Sequence, residues 1–105
     1  MSLRVGPGAR EDVAEIAEYM DLQTPGRGEE FITAVEQAYA TIGATPQLYP
    51  PTDDGPPGVE TRYYLVSGFK YRIVFAVVGE DAFILAVAHV HQRPGHWHHR
   101  LTTEI

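Results

Sequence analysis

Hydrophobic positions recur along the first part of the chain with a helical period and along the last part with a period of two. Leu3 and Val5 flank Arg4 ahead of Gly6-Pro7-Gly8, which predicts a short edge strand closed by a turn. From Ala9 onward, Val13, Ile16, Ala17 and Met20 keep the i, i+3, i+4, i+7 spacing of one helical face, with Asp12, Glu15 and Glu18 turned to water. Thr24 followed by Pro25 fits an N-cap with proline in the first turn of a second helix. Its stripe is Phe31, Val35, Ala38, Tyr39 and Ile42, with Gly43 in the C-terminal capping place. Two antiparallel helices follow from this pattern. Residues 46–58 hold five of the eight prolines together with Asp53-Asp54-Gly55, a composition that opposes both helix and ladder and predicts a long surface loop.

After that loop three runs rich in β-branched and aromatic residues, Arg62 to Val66, Tyr71 to Val78 and Ala82 to Val90, predict strands. Ser67-Gly68 and Gly79-Glu80-Asp81 are too short to carry a parallel crossover, so the three form an antiparallel meander. The second and third strands are apolar on both faces, which places them centrally under the helix pair. The fold class expected is α+β, a helical hairpin packed on a small antiparallel sheet. A chain of 105 residues has room for one such domain, spanning 1–105.

Composition narrows the chemistry. With 44% hydrophobic and 21% charged residues the chain is apolar enough to fold on its own. Nothing approaches the ~20 consecutive apolar residues of a membrane span, and the first ten residues lack the apolar core of a signal peptide, so no membrane association and a cytoplasmic location are expected. The absence of cysteine removes disulfides, thiol nucleophiles and cysteine-ligated zinc, and no cofactor is implied. The net charge of −6 is unevenly divided. Residues 1–58 carry ten acids and three arginines, for −7, whereas residues 59–105 carry five basic and four acidic side chains, for +1, and all five histidines. An anionic partner would meet the C-terminal part, more strongly once histidines protonate below about pH 6.5. The same division also arises simply from helices that are acidic on their wet face.

The stretch from His89 to Arg100 is the least ordinary. His89 and His91 share one face if the strand continues through them, and such a pair can hold a metal or a phosphate. A structural metal site needs about four placed ligands. Nothing in the sequence fixes His96, His98 or His99 beside that pair, so the histidines read as surface or packing residues and no metal is expected. Arg62, Lys70, Arg72, Arg93 and Arg100 gather near the exposed face or edge of the meander, and Arg62 and Arg72, on adjacent strands, can flank one anionic group. They are otherwise solubilising residues or partners for the acidic helices. Trp97 is a core plug or interface anchor before it is a stacking platform. Asp53 and Asp54 read as turn residues. There is no phosphate-binding glycine loop, serine-nucleophile motif or carboxylate pair on the strands. Catalysis would rest on histidine, arginine and tyrosine, a set suited to ribonuclease chemistry.

Taken together in order, several segments resemble the RelE/ParE superfamily of toxins from bacterial toxin–antitoxin modules, and its ParE-like branch in particular. They are Ala9 to Tyr19, Thr45-Pro46 to Pro50, Arg62-Tyr63-Tyr64-Leu65-Val66, Tyr71-Arg72-Ile73-Val74-Phe75, Val87-Ala88-His89, and Arg93-Pro94 with Trp97 before Arg100. The resemblance implies a helical hairpin on a small sheet and a cognate antitoxin that wraps and neutralises the protein. ParE-like members poison DNA gyrase; RelE-like members cut messenger RNA on the ribosome. For gyrase, the target-binding residues implied are Arg62, Arg72, Arg93, Trp97 and Arg100. For messenger RNA cleavage, Arg62 and Arg72 stand for the family's arginines and His89, His91 or His96 for its acid or base. The sheet offers only Lys70 as a lysine and no tyrosine after Tyr71, so the RelE-type set is incomplete. A protein-binding module without toxicity is the third reading. Short edge strands and the aromatic residues Tyr63, Tyr64 and Phe69 form a surface for the antitoxin, and a homodimer would cover the same patch.

Overall fold

The computed structural model describes residues 2–93 and 95–105; Pro94, one of the residues that carry the family resemblance, lies outside the described residues. The order of elements is β1 (Leu3–Val5), α1 (Pro7–Gln23), α2 (Arg27–Ala44), a 3-10 turn (Pro46–Leu48), β2 (Thr61–Leu65), β3 (Tyr71–Val78), β4 (Asp81–His89) and α3 (Arg100–Thr103). The four strands lie in the order β1-β4-β3-β2. β2, β3 and β4 form the expected antiparallel meander. β1 joins its β4 edge in parallel, Leu3 opposite Ala82 and Val5 opposite Ile84, so the α+β architecture carries a mixed sheet.

Helix boundaries depart from the sequence pattern in three places. α1 opens two residues before Ala9, with Pro7 in its first turn, where a missing N–H costs nothing. Thr24 closes α1, its N–H donating to Met20 O at 2.8 Å, and does not cap α2. Only residues 24–26 separate the two helices, a reversal that needs one left-handed residue, and Gly26 supplies it with φ of 89°. Gly43 lies inside α2 beside Leu3 of β1, and the helix runs to Ala44 before Pro46 stops it.

The two faces of the sheet are buried differently. Toward the helices, Ile73 and Phe75 of β3 and Ile84 and Val87 of β4 pack with Phe31, Val35, Ala38 and Ile42 of α2. On the opposite face Val74, Ala76, Phe83, Leu85 and Ala86 pack against Trp97, with Leu101 beside it. The chain after β4 therefore returns across the sheet as a strap. Register allows this: Val74 pairs with Ala86 but Phe75 with Ile84, so Leu85 is an extra, bulged residue that puts two consecutive side chains under Trp97.

The proline-rich loop is less free than its composition suggests. Tyr63 N–H donates to Pro50 O at 3.0 Å and Thr52 N–H to Thr61 O at 3.0 Å, with Pro51 bridged to Arg62. Pro51 has no N–H to donate, and the bonds on either side of it use the Pro50 carbonyl and the Thr52 N–H, so the segment shields the outer edge of β2 from adventitious pairing.

Trp97 is 0% exposed and closes the second face of the core. Truncating it, Trp97→Ala, should lower stability by about 3–5 kcal/mol in urea unfolding. Independently of that variant, the native tryptophan should emit at short wavelength and resist acrylamide quenching; a readily quenched, red-shifted emission would contradict its placement.

Candidate functional site

Strand register decides the fate of the two arginines placed together by sequence. Arg62 sits opposite Phe75 and Arg72 opposite Leu65, three positions apart along β3. An odd offset reverses the face, so Arg62 shares the helix side with Phe75 whereas Arg72 shares the strap side with Val74. They do not flank one anion. Arg62 Nε donates to Glu60 Oε2 at 2.8 Å and its Nη1 to Tyr49 O. Arg72 Nη2 donates to Asp54 Oδ2 at 2.8 Å, and its guanidinium lies 5.9 Å from the centre of the Tyr63 ring.

Two more residues expected at a target surface serve the core instead. Trp97 is the plug described above. Arg100 Nη1 donates to Asp12 Oδ2 at 2.7 Å and to Leu85 O at 2.9 Å, while Nη2 donates to Asp12 Oδ1 at 3.1 Å. Arg93 remains exposed. Arg62 and Arg72 thus lie on opposite faces of the sheet, and Lys70, at the β2–β3 turn, is exposed.

The histidines separate in the same way. His89 packs edge-on against Tyr71 with centroids 5.3 Å apart, and His91 donates its backbone N–H to His89 Nδ1 at 3.1 Å. Their rings are neighbours, 5.3 Å apart, although β4 ends at His89. His96 donates from Nδ1 to Arg93 O at 3.0 Å, and His98 donates from Nε2 to the Asp54 carbonyl. Among the described residues no three acidic or histidine side chains converge in a way that could hold a metal ion.

Two carboxylates missed at the sequence level organise this part of the molecule. Asp12, expected to face water, accepts from Arg100 and from Val87 N–H at 3.0 Å. A signal for it exists: Asp12 stands four residues before Ile16, on the apolar stripe, and four after Gly8, where a Cβ would come within 2.6 Å of Arg100 Nε. Asp54 does occupy a turn, yet its Oδ2 accepts from Arg72 and from Gly95 N–H at 2.9 Å. Burial raises the pKa of this carboxyl, but the Gly95 N–H and the Arg72 guanidinium outweigh it and hold the group below its ordinary value.

Several open clefts mark the surface of the described residues, among them two that combine apolar or aromatic walls with a cation. One, of about 280 Å³, runs between α1, α2 and β1 with Val5, Val13, Ile32 and Val35 as its apolar wall and Arg10 and Glu36 on its rim. Tyr39 also lines it, with a buried hydroxyl that has no hydrogen-bond partner among the described residues. Burial, and secondarily the Asp12 carboxylate, push that phenol up to about 12 against a smaller lowering by Arg10. The other cleft, of about 290 Å³, lies between the α1–α2 turn and the β2–β3 turn. No helix is long and apolar enough to cross a membrane among the described residues. Neither cleft contains Arg62 or Arg72.

No protein-family model matches the chain, and no curated protein matches it. Among solved structures, a chain of the "Chromosomal ParDE TA system from P. aeruginosa" superposes with a TM-score of 0.72 at 19% sequence identity, covering 86% of this chain and 96% of that one. The two share a fold across nearly their whole length.

The lowered pKa of Asp54 has a definite sign in stability. A carboxyl whose folded value lies below the free value of 3.8 contributes its stabilisation in full above that pH and loses it as pH falls through the folded value. Urea midpoints measured down a pH series should therefore fall below pH about 4, and fall less steeply in Asp54→Asn, which should already be destabilised at neutral pH. Superposable pH profiles for the two proteins would contradict the assignment.

Proposed function

We propose that the chain is a ParE-like toxin of a bacterial type II toxin–antitoxin module, held inactive by a cognate antitoxin and acting on DNA gyrase by binding and not by catalysis. The observation that carries this reading is the fold shared over 86% of the chain with a member of a ParDE toxin–antitoxin system. The ordered set of sequence motifs points the same way. A bacterial address in the cytoplasm, where gyrase works, belongs to the same proposal.

The non-catalytic half rests on the arginines. Arg62 and Arg72 face opposite sides of the sheet, and each is engaged by a carboxylate, Glu60 and Asp54 respectively. A ribosome-dependent messenger RNA interferase requires cations free to meet developing charge on phosphorus. With Trp97 and Arg100 occupied in the core, Arg93 is the exposed member of the five target-binding candidates, and gyrase contact is assigned to it first.

For the antitoxin, the cleft between α1, α2 and β1 offers an apolar wall with one cation and one carboxylate at the rim. That pattern suits the apolar face of an amphipathic segment whose flanking charges meet Arg10 and Glu36. A second copy of the chain would compete for the same wall.

Induction without the product of the neighbouring gene should arrest growth and raise gyrase-dependent DNA breaks, and Arg93→Ala should blunt both. Normal growth with intact chromosomes and unchanged transcripts would leave a non-toxic binding module; cleavage within codons in primer extension would establish the interferase reading instead. Val13→Glu or Ile32→Glu should weaken capture of the neighbouring gene product at least about tenfold while leaving the fold intact.

A further inference from the structure

The second cleft has a wall chemistry that the toxin reading does not use. It is framed by Tyr19 from the end of α1, Arg27 from the start of α2, and Phe69, Lys70 and Tyr71 from the β2–β3 turn and the head of β3. On a chain of net charge −6, none of the residues lining this cleft is acidic.

Its rings are held in place from beneath. Buried Phe31 meets Phe69 edge-on at 5.1 Å and Tyr71 at 5.3 Å, and His89 braces Tyr71 from the neighbouring strand at 5.3 Å. Arg27 lies over the Phe69 ring at 4.1 Å, its Nη2 donating to Gly68 O at 3.2 Å and its Nη1 shared with Glu30 at 2.9 Å. Tyr19 stands at the mouth, 60% exposed. Burial, and secondarily the neighbouring Tyr19, raises the Tyr71 phenol above its ordinary value, so Tyr71 stays a neutral donor at physiological pH. Lys70 is exposed and, among the described residues, makes no salt bridge.

We propose that this cleft binds a nucleoside monophosphate unit, the base lying against the Tyr19 and Tyr71 rings and the phosphate engaged by Lys70. Aromatic faces accept any base by stacking, and a compact ammonium beside them supplies the charge-assisted contact to phosphate. The volume of about 290 Å³ is near the lower end of small-ligand pockets and suits one nucleotide. A free nucleotide and the end of a single strand present the same unit. The proposal is independent of the gyrase reading, because Tyr19, Lys70 and Tyr71 are not among the residues that reading uses.

Amide-shift titrations of the full chain separate the outcomes. Adenosine 5′-monophosphate should shift the amides of Tyr19, Lys70 and Tyr71 saturably, at least about tenfold more tightly than adenosine or inorganic phosphate alone. Lys70→Ala should weaken binding about tenfold, and Tyr19→Ala should weaken the nucleotide but not phosphate. Both side chains are exposed, so both variants fold, and their spectra verify it. A short single-stranded oligonucleotide binding at the same amides more tightly than the monophosphate identifies a strand end as the ligand; equal or weaker binding identifies the free nucleotide. Absence of saturable shifts, phosphate binding as tightly as the nucleotide, shifts confined to other surfaces, or an unaltered Lys70→Ala would each overturn the proposal.

Discussion

The exposed edge of β4 beyond β1 is closed by one bidentate ion pair. β1 pairs only with Ala82 to Ile84, and Gly6 N–H takes the Ile84 carbonyl at 2.9 Å. From Leu85 onward the edge has no strand beside it. Leu85 is also the bulged residue, so its carbonyl and the Val87 N–H would otherwise be orphaned. Arg100 meets the first and Asp12 the second, and the two side chains meet each other. They are only 16% and 18% exposed, so the contact works at reduced dielectric, and both charges are satisfied by further hydrogen bonds.

Much of the architecture hangs from that junction. Asp12 belongs to α1 and Arg100 to the strap, so the pair clamps the helix layer and the strap around the same edge. With Arg100 fixed, Trp97 three residues earlier lands on Leu85 and Ala86 and seals the second face. The front of the strap is tied separately by Asp54, through Gly95 N–H and the His98 ring. An acidic side chain from the acidic segment 1–58 anchors each end of the basic C-terminal segment. The charge asymmetry of the chain is thus in part a folding device, and the residues that pair off within the molecule are unavailable to partners.

This explains which features were legible in the sequence. Helices and strands follow from periodicity, because stripes such as Phe31, Val35, Ala38 and Ile42 record the burial of one face directly. The parallel docking of β1 is not written locally; three residues reveal no partner. The helix caps were misplaced because Thr24 and Gly43 carry capping chemistry that tertiary packing used otherwise. The doubly apolar β3 and β4 implied a second cover but did not identify it, and Trp97 is that cover. The arginine site failed for a sharper reason: one residue of register reverses a side chain's face, and neither the register nor the bulge at Leu85 can be read from propensity. Asp12 and Asp54 looked like solvent and turn residues since their partners lie 88 and 41 positions away in sequence for Arg100 and Gly95.

The accessible features include an apolar groove along the helices, an exposed Arg93, and an aromatic cleft beside exposed Lys70. The account stands on the claim that the C-terminal segment is structural and is held by Asp12. A double-mutant cycle with Asp12→Ala and Arg100→Ala, read by urea unfolding with Trp97 fluorescence as the reporter, tests it most directly. A favourable coupling energy of about 1.5 kcal/mol or more is predicted. Additivity to within about 0.3 kcal/mol, with Trp97 emission unchanged in both single variants, would contradict it.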